Sequence, residues 1–533
     1  MSDDGLVFVR VARQILEGNG PVYNVLERSE PTTSVVWTWL LALVGAITPG
    51  DLAAWAVFVG GALSVGGLAI ALAATRRWYR ARGQTAPLVP LTALVIVGAF
   101  SFWDFATSGL ETGVTTCWLA TIWWLLITLE RTSSRRRQYV AAIGFGLGVL
   151  VRPELAIVTI GWLVAGWLLV RPARRRALAL AAAALALPLA YELFRAGYYG
   201  HLVPLPAIAK SADSAEWARG WRYAARFLID DRVGLPLAVG AVLLGIAIAR
   251  RALDTRDRIV VATPLVCGIV LVIYVVRVGG DFMHARLMLH PTFLLLLPGL
   301  VVPFSRATAT FIIVVAAWAI VTATTVHTRS GTGWYGDWDE RANYIKQSRV
   351  AHPTRSEDFL PGNAAWLRWQ QVQQMRVGPT LIWDVDGAAM PVDPSIPTPV
   401  VIAPGWLGSA GVIAPLDGVV ADLHGLANPL GAHITPTQPG RTGHEKNLPW
   451  AWIVADYADP RFDTQVPFTP PPTLGEIRAA RHALTCGAIK ELLDAGREPL
   501  TMSRFWSNLT GAVSRTRLVI PADPIEAERS FCR

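Results

Sequence analysis

Charged side chains are scarce in this chain. They make up 16% of its 533 residues, whereas hydrophobic residues make up 53% and the mean hydropathy is +0.39. A soluble globular protein carries about 25% charged residues, so the shortage of charge excludes a purely soluble protein. The apolar runs are concentrated between residues 52 and 326, and the rest of the C-terminal part has ordinary polar composition. We therefore expect a membrane domain followed by a water-soluble domain.

Cysteine is also scarce, with four residues in the chain. Cys117 and Cys267 fall within apolar runs, where an inert core position is the ordinary explanation. Cys486 and Cys532 lie in the polar C-terminal part, and two cysteines alone do not make a zinc site. We predict that these two form a disulfide if that part lies outside the cell; two unpaired thiols are the alternative.

The chain is basic, with a formal net charge of +9. Its arginines cluster in short loops between apolar runs, which is typical of membrane topology, and we expect no nucleic-acid partner. A membrane-spanning helix needs about 20 apolar residues. On this basis we predict ten spans, near residues 52–75, 87–103, 114–130, 138–151, 155–170, 177–194, 233–249, 259–276, 287–303 and 308–326.

Arginine-rich loops follow every second predicted span, and the positive-inside rule places them in the cytoplasm. The N-terminal stretch and the segment 327–533 are then extracytoplasmic, together with the alternate loops 104–113, 152–154, 195–232 and 277–286. The apolar segment 33–47 is short, and counting it as a span would invert every later basic loop. We predict that it lies in the outer interface, with Trp37 and Trp39 at headgroup level.

The start of the chain conflicts with this topology. Asp3 and Asp4 follow Met1 with no apolar segment before them, although the predicted topology places them outside. We therefore expect the natural gene product to carry a further helix upstream of Met1.

The conspicuous polar residues lie in the predicted outer loops, where charges near a membrane indicate function. Asp3 and Asp4 form a carboxylate pair that suits general-base catalysis or metal binding; an acidic helix N-terminus is the structural alternative. Four further acids are substrate-binding candidates, each equally explained by a solvated loop or a helix cap: Glu27, Glu30, Asp104 and Glu111.

Three other outer loops concentrate cations and aromatic side chains. Arginine matches a phosphate with paired hydrogen bonds, lysine acts as a point charge, and aromatic faces stack on sugar rings. Anchoring at the interface is the structural alternative, and His284 has no second ligand at metal spacing. The candidates are Arg152 beside Glu154 in the first loop, Tyr198, Tyr199 and Lys210 in the second, and Asp281, His284 and Arg286 in the third.

The C-terminal segment alternates proline-rich loops with short apolar runs. We predict strands at 379–383, 399–402 and 450–454, and helices at 365–375 and 474–495. This mixture indicates an α/β-type domain.

Taken together, these motifs resemble the GT-C glycosyltransferases, and in particular the terminal β-(1→2)-arabinofuranosyltransferases of mycobacterial-type cell walls. The string DDGLVFVRVARQILEGNGPVYNVLERSEPTTS from Asp3 is similar to the first outer loop of that family. The absence of a first transmembrane helix before it departs from the family. The other matching motifs, in order along nearly the whole chain, are DFATSGLE at 104–111, RPE at 152–154, RAGYYGHLVP at 195–204, GGDFMHAR at 279–286, DLHGLANPLGAH at 422–433 and GHEKNLP at 443–449.

The resemblance implies a mostly α polytopic membrane protein of the GT-C type with a C-terminal extracytoplasmic α/β domain. Its parts are an acidic loop with juxtamembrane helices at 1–51, a transmembrane domain at 52–326 and the C-terminal domain at 327–533. The implied reaction moves arabinofuranose from decaprenyl-phosphate arabinose to the ends of arabinan in arabinogalactan and lipoarabinomannan, at the plasma membrane. Beyond this lipid-linked co-substrate no cofactor is certain, and a divalent metal stays an open question.

The resemblance also suggests roles for the candidate residues. Asp3, with Asp4 beside it, is the favoured general base on the acceptor 2-hydroxyl. Donor and product are both β in this family, so retention needs two displacements or a front-face path, and the sequence does not choose. Cations that stabilise the leaving phosphate are predicted at Lys210, Arg286, His284 and Arg152.

Other functions fit the sequence less well. A polyprenyl-phosphate-dependent transferase of another sugar, such as mannose, is the nearest alternative. A lipid or glycan transporter would show internal repeats and charged, broken helices at mid-membrane, which the sequence does not indicate. A glycan-binding membrane scaffold without catalysis is the remaining alternative, and the sequence leaves the oligomeric state open.

Overall fold

The computed structural model describes residues 1–210, 215–241, 253–325, 340–437 and 443–532. Within these ranges the chain is mostly helical, and five helices are long and apolar enough to cross a membrane. The chain is therefore a membrane protein. The five are Leu52–Arg80, Pro153–Val170, Arg174–Tyr198, Thr255–Arg277 and Thr308–Thr325, the last within the helix Arg306–Thr325.

The remaining helices are shorter. Those before residue 300 are Asp3–Leu16, Val35–Ile47, Thr92–Gly98, Phe100–Ala106, Thr112–Ile127, Arg135–Gly146, Gly148–Val151, Leu205–Ala209, Trp217–Asp230 and Leu289–Leu296, with 3-10 turns at Pro153–Leu155, Arg286–Met288 and Leu297–Gly299. Those after residue 339 are Glu340–Ser348, Ala364–Gln374, Leu407–Ile413, Pro429–His433, Trp450–Tyr457, Leu474–Ala483, Gly487–Arg497, Met502–Thr516 and Pro524–Phe531, with 3-10 turns at Ser356–Phe359 and Pro460–Phe462.

The prediction of ten spans is not confirmed, because five helices of the described ranges reach the required length. The predicted spans 114–130 and 138–151 correspond to Thr112–Ile127 and to the pair Arg135–Gly146 and Gly148–Val151, which are shorter than about 20 residues. The predicted span 233–249 lies outside the described residues from position 242 onwards.

Two predicted spans, 87–103 and 287–303, are wrong as continuous helices. The first contains a strand, Leu88–Pro90, and two helical segments of seven residues; the second ends in the strand Val301–Pro303. The two strands pair antiparallel, with Val89 opposite Val302. Prolines interrupt both segments, and the pairing supplies hydrogen bonds that the broken helices leave unmade.

The predicted interfacial segment does form a helix, Val35–Ile47, which is capped by the Ser34 hydroxyl. However, Trp37 is fully buried and its Nε1 donates to the Gly109 carbonyl at 2.9 Å. The predicted headgroup position is therefore wrong for Trp37, whereas Trp39 is 47% exposed. This helix packs against the protein as well as presenting an apolar surface.

The first helix, Asp3–Leu16, is held between the membrane helices and the C-terminal domain. The Ser2 hydroxyl caps it, and the two acids of its first turn suit the positive end of the helix dipole. Arg10 is buried and donates to five backbone carbonyls, four of them in the segment 411–418 of the C-terminal domain. This satisfied arginine fixes the position of the acids that precede it.

A four-stranded sheet lies in the C-terminal domain, with helices packed around it. Its order is Ala389–Pro391, Thr380–Trp383, Val400–Ala403 and Val419–Val420; the first strand is antiparallel to its neighbour and the other neighbours are parallel. The helix Leu407–Ile413 connects the two last strands. It is this helix that faces Asp3.

Three predictions for the C-terminal segment have different outcomes. The predicted strand 450–454 is wrong, because these residues begin the helix Trp450–Tyr457. The predicted helix 474–495 is interrupted before Gly487, which has a φ of 46°. Cys486 and Cys532 are joined in a disulfide, which ties this interruption to the last helix of the chain.

Candidate active site

The structure gathers several of the predicted charged residues around Arg286. Its Nη1 atom lies 3.1 Å from Oδ2 of Asp4 and 3.4 Å from Oδ2 of Asp281, and its Nη2 atom lies 3.3 Å from Oε1 of Glu111. Glu111 also pairs with Arg152. Four of these five residues are buried, whereas the Asp4 side chain is 20% exposed. Asp4 is therefore the carboxylate of this cluster that solvent or substrate reaches most easily.

The backbone explains how these side chains meet. Glu111 precedes the helix Thr112–Ile127, and Arg286 opens a 3-10 turn after the spanning helix Thr255–Arg277. The loop between the helix Thr255–Arg277 and this 3-10 turn requires a glycine at position 280. Gly280 has a φ of 78°, and a Cβ atom there would lie 2.4 Å from the Tyr223 ring. A larger residue there would displace the loop that carries Arg286.

A cavity of about 150 Å³ adjoins the cluster. Lys210, which lines it, has its Nζ 3.7 Å from Oδ1 of Asp281. Although burial acts to raise the pKa of Asp281, Lys210 and Arg286 lower it below its usual value. The cavity joins a charged end to an apolar wall: the charged lining is Arg152, Glu154, Lys210, Asp281 and Arg286, and the apolar lining includes Leu271, Val275, Val278 and Leu287.

Asp3 and Asp4 have different surroundings. The Asp3 carboxylate accepts hydrogen bonds from the backbone N–H of Gly408 at 2.9 Å and of Ser409 at 2.8 Å. Burial raises the pKa of Asp3 to about 6; the Gly408 N–H opposes this shift and the charge of Asp4 adds to it. Asp3 thus holds the N-terminus of the helix Leu407–Ile413, whereas Asp4 faces Arg286.

The side chain of His284 contacts Asp231, which is not part of the arginine cluster. Its Nε2 is 2.9 Å from Oδ1 of Asp231, and Oδ2 of the same aspartate accepts from the Ser101 hydroxyl at 2.5 Å. Among the residues that the structure describes, His284 does not line the charged cavity. This arrangement fixes the loop and does not place the imidazole with the predicted phosphate-binding cations.

Glu27 and Glu30 also lie outside the cluster. Arg497 donates to Glu27 at 2.8 Å and holds Asp456 with its other nitrogens, while Arg195 donates to Glu30 at 2.6 Å. Both glutamates are buried. These pairs connect the N-terminal loop to the C-terminal domain and to the spanning helix Arg174–Tyr198, so their visible role is structural.

The remaining predicted residues pack elsewhere. The Tyr199 hydroxyl donates to the Pro21 carbonyl at 2.7 Å, and Tyr198 stacks on Phe194 with ring centroids 4.8 Å apart. Asp104 is half-buried on the helix Phe100–Ala106, and the cavity lining does not include it. The two tyrosines therefore support the N-terminal loop.

Comparison with known proteins assigns the chain to a family. Residues 382–529 match the family described as AftB family C-terminal domain. The chain is 32% identical to the terminal beta-(1->2)-arabinofuranosyltransferase of Mycobacterium tuberculosis, over 98% of this chain and 92% of that protein. The chain belongs to the terminal β-(1→2)-arabinofuranosyltransferase (AftB) family. The protein of the same name from Corynebacterium glutamicum is 32% identical over 100% of this chain and 84% of its own length. No solved structure matches the chain.

In this member of the AftB family, the C-terminal domain contributes a carboxylate that the sequence analysis missed. Asp384 follows the strand Thr380–Trp383, is 8% exposed and accepts from the Gly405 N–H at 2.6 Å. Burial raises its pKa to about 7, with the Gly405 N–H opposing and the charge of Asp3 adding to the shift. The sequence signal that could have identified Asp384 is a polar residue at the carboxyl end of a parallel strand.

We expect Asp384→Asn to stabilise the protein above pH 7. A carboxyl whose folded pKa is raised stabilises the fold fully below its unfolded pKa near 3.8, and that stabilisation is lost as pH rises through about 7. The full shift corresponds to on the order of 4 kcal/mol as an upper bound. Melting temperatures measured between pH 5 and 8.5 should fall less in this variant than in the wild type or in the exposed control Asp386→Asn. Parallel curves for all three proteins would contradict the assignment.

His290 is a second residue that the sequence analysis missed. It lines the charged cavity, is 6% exposed, and its Nε2 has no hydrogen-bond partner among the described residues. Burial, Arg152 and Arg286 lower its pKa, while the ring's contact with the Thr112 carbonyl opposes this. The sequence signal that could have identified His290 is its position within the predicted span 287–303, because ionisable residues inside a membrane segment indicate function.

Proposed function

We propose that this protein transfers an arabinofuranose residue from decaprenyl-phosphate arabinose to the non-reducing ends of cell-wall arabinan, forming terminal β-(1→2) linkages. The observation that carries the proposal is the contact of Asp4 with Arg286, because Arg286 lines a cavity that has both charged and apolar lining residues. Asp4 itself does not line this cavity and reaches it through Arg286. Both relatives carry the name of this activity, over nearly the full length of this chain.

The charged cavity suits the phosphate of a lipid-linked donor. Arg152, Lys210 and Arg286 supply positive charge, and Leu271 and Val275 of a spanning helix supply an apolar surface for the first isoprene units. The two arginines already pair closely with acids, whereas Lys210 lies 3.7 Å from Asp281 and its side chain is 24% exposed. We therefore propose that Lys210 is the cation most available to the donor phosphate, with the arginines completing the site.

Asp4 is the proposed general base, in place of Asp3, which the resemblance favoured. It removes the proton from the acceptor 2-hydroxyl as that oxygen bonds to C1 of the sugar, while the bond from C1 to the phosphate oxygen breaks and the phosphate leaves as an anion. Positive charge near the leaving phosphate stabilises the transition state without a strong acid. Asp3 keeps both oxygens on backbone N–H groups, so we propose that it positions Asp4.

The different roles proposed for Asp3 and Asp4 affect the expected stereochemistry of the transfer. Two successive displacements would need one carboxylate as nucleophile and another as base. Because Asp3 is bound by two N–H groups, the arrangement favours a front-face path in which Asp4 alone acts as base. We expect the product of a β donor to be β, with no covalent sugar–aspartate adduct at either residue in mass spectra of protein trapped with slow donor analogues.

We also propose that the cluster lies on the extracytoplasmic side. The arginine-rich ends of the spanning helices lie at the opposite ends from Glu111 and Arg286, as in Arg77 and Arg80 at the end of Leu52–Arg80 and Arg256 at the start of Thr255–Arg277. The positive-inside rule supports an extracytoplasmic position for the cluster. Labelling of a cysteine introduced at the exposed Glu17 by a membrane-impermeant reagent in intact cells tests this; labelling only after cell lysis would contradict it.

A transfer assay with purified full-length protein tests the proposed reaction. Synthetic prenyl-phosphate β-arabinofuranose and a short arabinan are the substrates, and product linkage is read by NMR. We expect one added residue in β-(1→2) linkage, and none from prenyl-phosphate mannose. Transfer of mannose, or absence of arabinose transfer by protein that is monodisperse and folded, would overturn the proposal.

His290 gives a further prediction for the donor site. We propose that its Nε2 lone pair accepts a hydrogen bond from a hydroxyl of the donor sugar, because a neutral acceptor beside a phosphate would repel the phosphate oxygens. We expect His290→Phe to raise the KM for the donor about tenfold while the KM for the arabinan acceptor stays unchanged. His290→Gln keeps a hydrogen-bond acceptor and should recover part of the loss; equal defects in both variants would contradict an acceptor role.

A further inference from the structure

A second polar cavity lies at the arginine-rich ends of the membrane helices. Its volume is about 480 Å³. It lies where Leu52–Arg80 and Thr112–Ile127 end and where Arg135–Gly146 and Thr255–Arg277 begin. Its lining includes Arg77, Trp78, Arg82, Thr128, Glu130, Ser133, Ser134, Arg137 and Arg256. The active-site cluster adjoins the other ends of two of these helices, so the two sites are separate.

The positive charge of this cavity is only partly neutralised within the protein. Arg82 pairs with Asp257, and Arg256 lies 3.8 Å from Glu130. Arg77 and Arg137 form no ion pair with any residue in the part of the chain that the structure describes. The Arg77 guanidinium lies over the Trp124 ring, 6.0 Å from its centroid. Two guanidinium groups are thus available to an anion.

Uncharged donors line the same cavity. Trp78 is 7% exposed, and its Nε1–H has no acceptor among the described residues. Protein atoms cover this N–H, so a ligand in the cavity does not reach it. The hydroxyl groups of Thr128, Ser133 and Ser134 also line the cavity. The cavity adjoins the N-terminus of the helix Arg135–Gly146, where backbone N–H groups favour negative charge. Guanidinium, hydroxyl and backbone donors together favour an anion rich in oxygen atoms, such as a phosphate.

An apolar cavity of about 490 Å³ lies beside the polar one. It is enclosed by the helices Arg135–Gly146, Pro153–Val170 and Arg174–Tyr198. The two cavities meet along the chain: Leu129 lines the apolar cavity, while its neighbours Thr128 and Glu130 line the polar one. A polar cavity next to an apolar one matches a molecule that has a phosphate and a hydrocarbon chain, whereas a free phosphate matches only the polar cavity.

We propose that Arg77 and Arg137 bind the phosphate of an anionic phospholipid, with an acyl chain in the adjacent apolar cavity. Basic pockets between transmembrane helices bind the headgroups of such lipids. The site is distinct from the one proposed for the lipid-linked sugar, and it does not depend on the transferase activity.

Native mass spectrometry of the full-length protein in detergent tests this proposal. The protein is titrated with cardiolipin, with phosphatidylglycerol, with phosphatidylcholine and with inorganic phosphate at 10 mM. We expect one tightly bound anionic phospholipid and at least tenfold weaker binding of phosphatidylcholine. The double variant R77Q/R137Q should lose at least tenfold in affinity for the anionic lipid. The control Arg136→Gln removes an exposed arginine of the same helix that does not line the cavity, and it should bind normally.

Three results would overturn the proposal. Equal binding of phosphatidylcholine would show that the charge of the lipid does not matter. Unchanged lipid binding by the double variant would show that the lipid binds at another site. Displacement of the lipid by 10 mM phosphate would identify a small-anion site in place of a lipid site. If the double variant does not fold, the single variants Arg77→Gln and Arg137→Gln decide, because both arginines are exposed. Undiminished lipid affinity in both single variants would also contradict the proposal.

Discussion

Replacing Asp4 by asparagine is expected to lower kcat by about 10²–10⁴-fold, because the proposed base can no longer accept the proton of the acceptor hydroxyl. The folded protein should tolerate the change, since the Asp4 side chain is 20% exposed and an asparagine oxygen still accepts from Arg286 at a similar position. The measurement is initial rate at saturating donor and acceptor, with the melting temperature determined on the same preparation.

The adjacent acid provides the matched control. Asp3→Asn keeps one oxygen for the two N–H groups of Gly408 and Ser409 and leaves one buried donor unpaired, which costs about 1–3 kcal/mol. We therefore expect a lower melting temperature with most of the turnover retained in the folded fraction. If Asp3→Asn abolishes turnover at unchanged melting temperature while Asp4→Asn remains active, the two roles must be exchanged.

Replacing Arg286 by glutamine is the second change with a large expected effect. Asp4, Asp281 and Glu111 all lie within 3.4 Å of its guanidinium, so the substitution leaves three carboxylates without their shared cation. Removing one partner of a buried ion pair costs about 3–5 kcal/mol of stability. We also expect kcat to fall by about 10²–10³-fold, because the leaving phosphate loses a positive neighbour and Asp4 loses the side chain that holds it in place.

The variant Arg286→Lys tests whether the positive charge of Arg286 or the planar geometry of its guanidinium matters more. Lysine restores one positive charge but not the planar fork that reaches two acids at once, so stability should recover more than turnover. The comparison is made at a temperature where both variants are folded by circular dichroism. Full turnover in Arg286→Gln at that temperature would show that the cluster is structural and that the reaction occurs elsewhere.

The broad architecture could be predicted from the sequence because it depends on composition and local pattern. The apolar runs predicted a membrane domain, and the strands at 379–383 and 399–402 were predicted nearly at their observed bounds. The run at 450–454 was predicted as a strand but forms a helix after Pro449. A five-residue apolar run does not distinguish a strand from a buried helix, since both present the same hydrophobicity.

The broken segments show a second limit of the sequence. Residues 87–103 and 287–303 are as hydrophobic as their neighbours, and hydropathy alone predicts two continuous spans. Their ends instead pair with each other, Leu88 opposite Pro303, across more than two hundred residues of sequence. The hydrogen bonds that make a break acceptable in an apolar region come from the distant segment, which a local pattern does not contain.

By itself, the sequence determined that this protein lies in a membrane, that its arginines gather at one set of helix ends, and that acids and cations lie in the alternate loops. Only the tertiary structure decided which of these groups meet. Asp4, Glu111 and Arg286 are brought together, whereas Glu27, Glu30 and His284 find other partners. Hydropathy and charge predict which loops lie on the same side of the membrane. An ion pair, however, forms only when the two side chains lie within a few ångströms of each other. That distance depends on how the helices pack and on where Arg10 and Gly280 hold the chain.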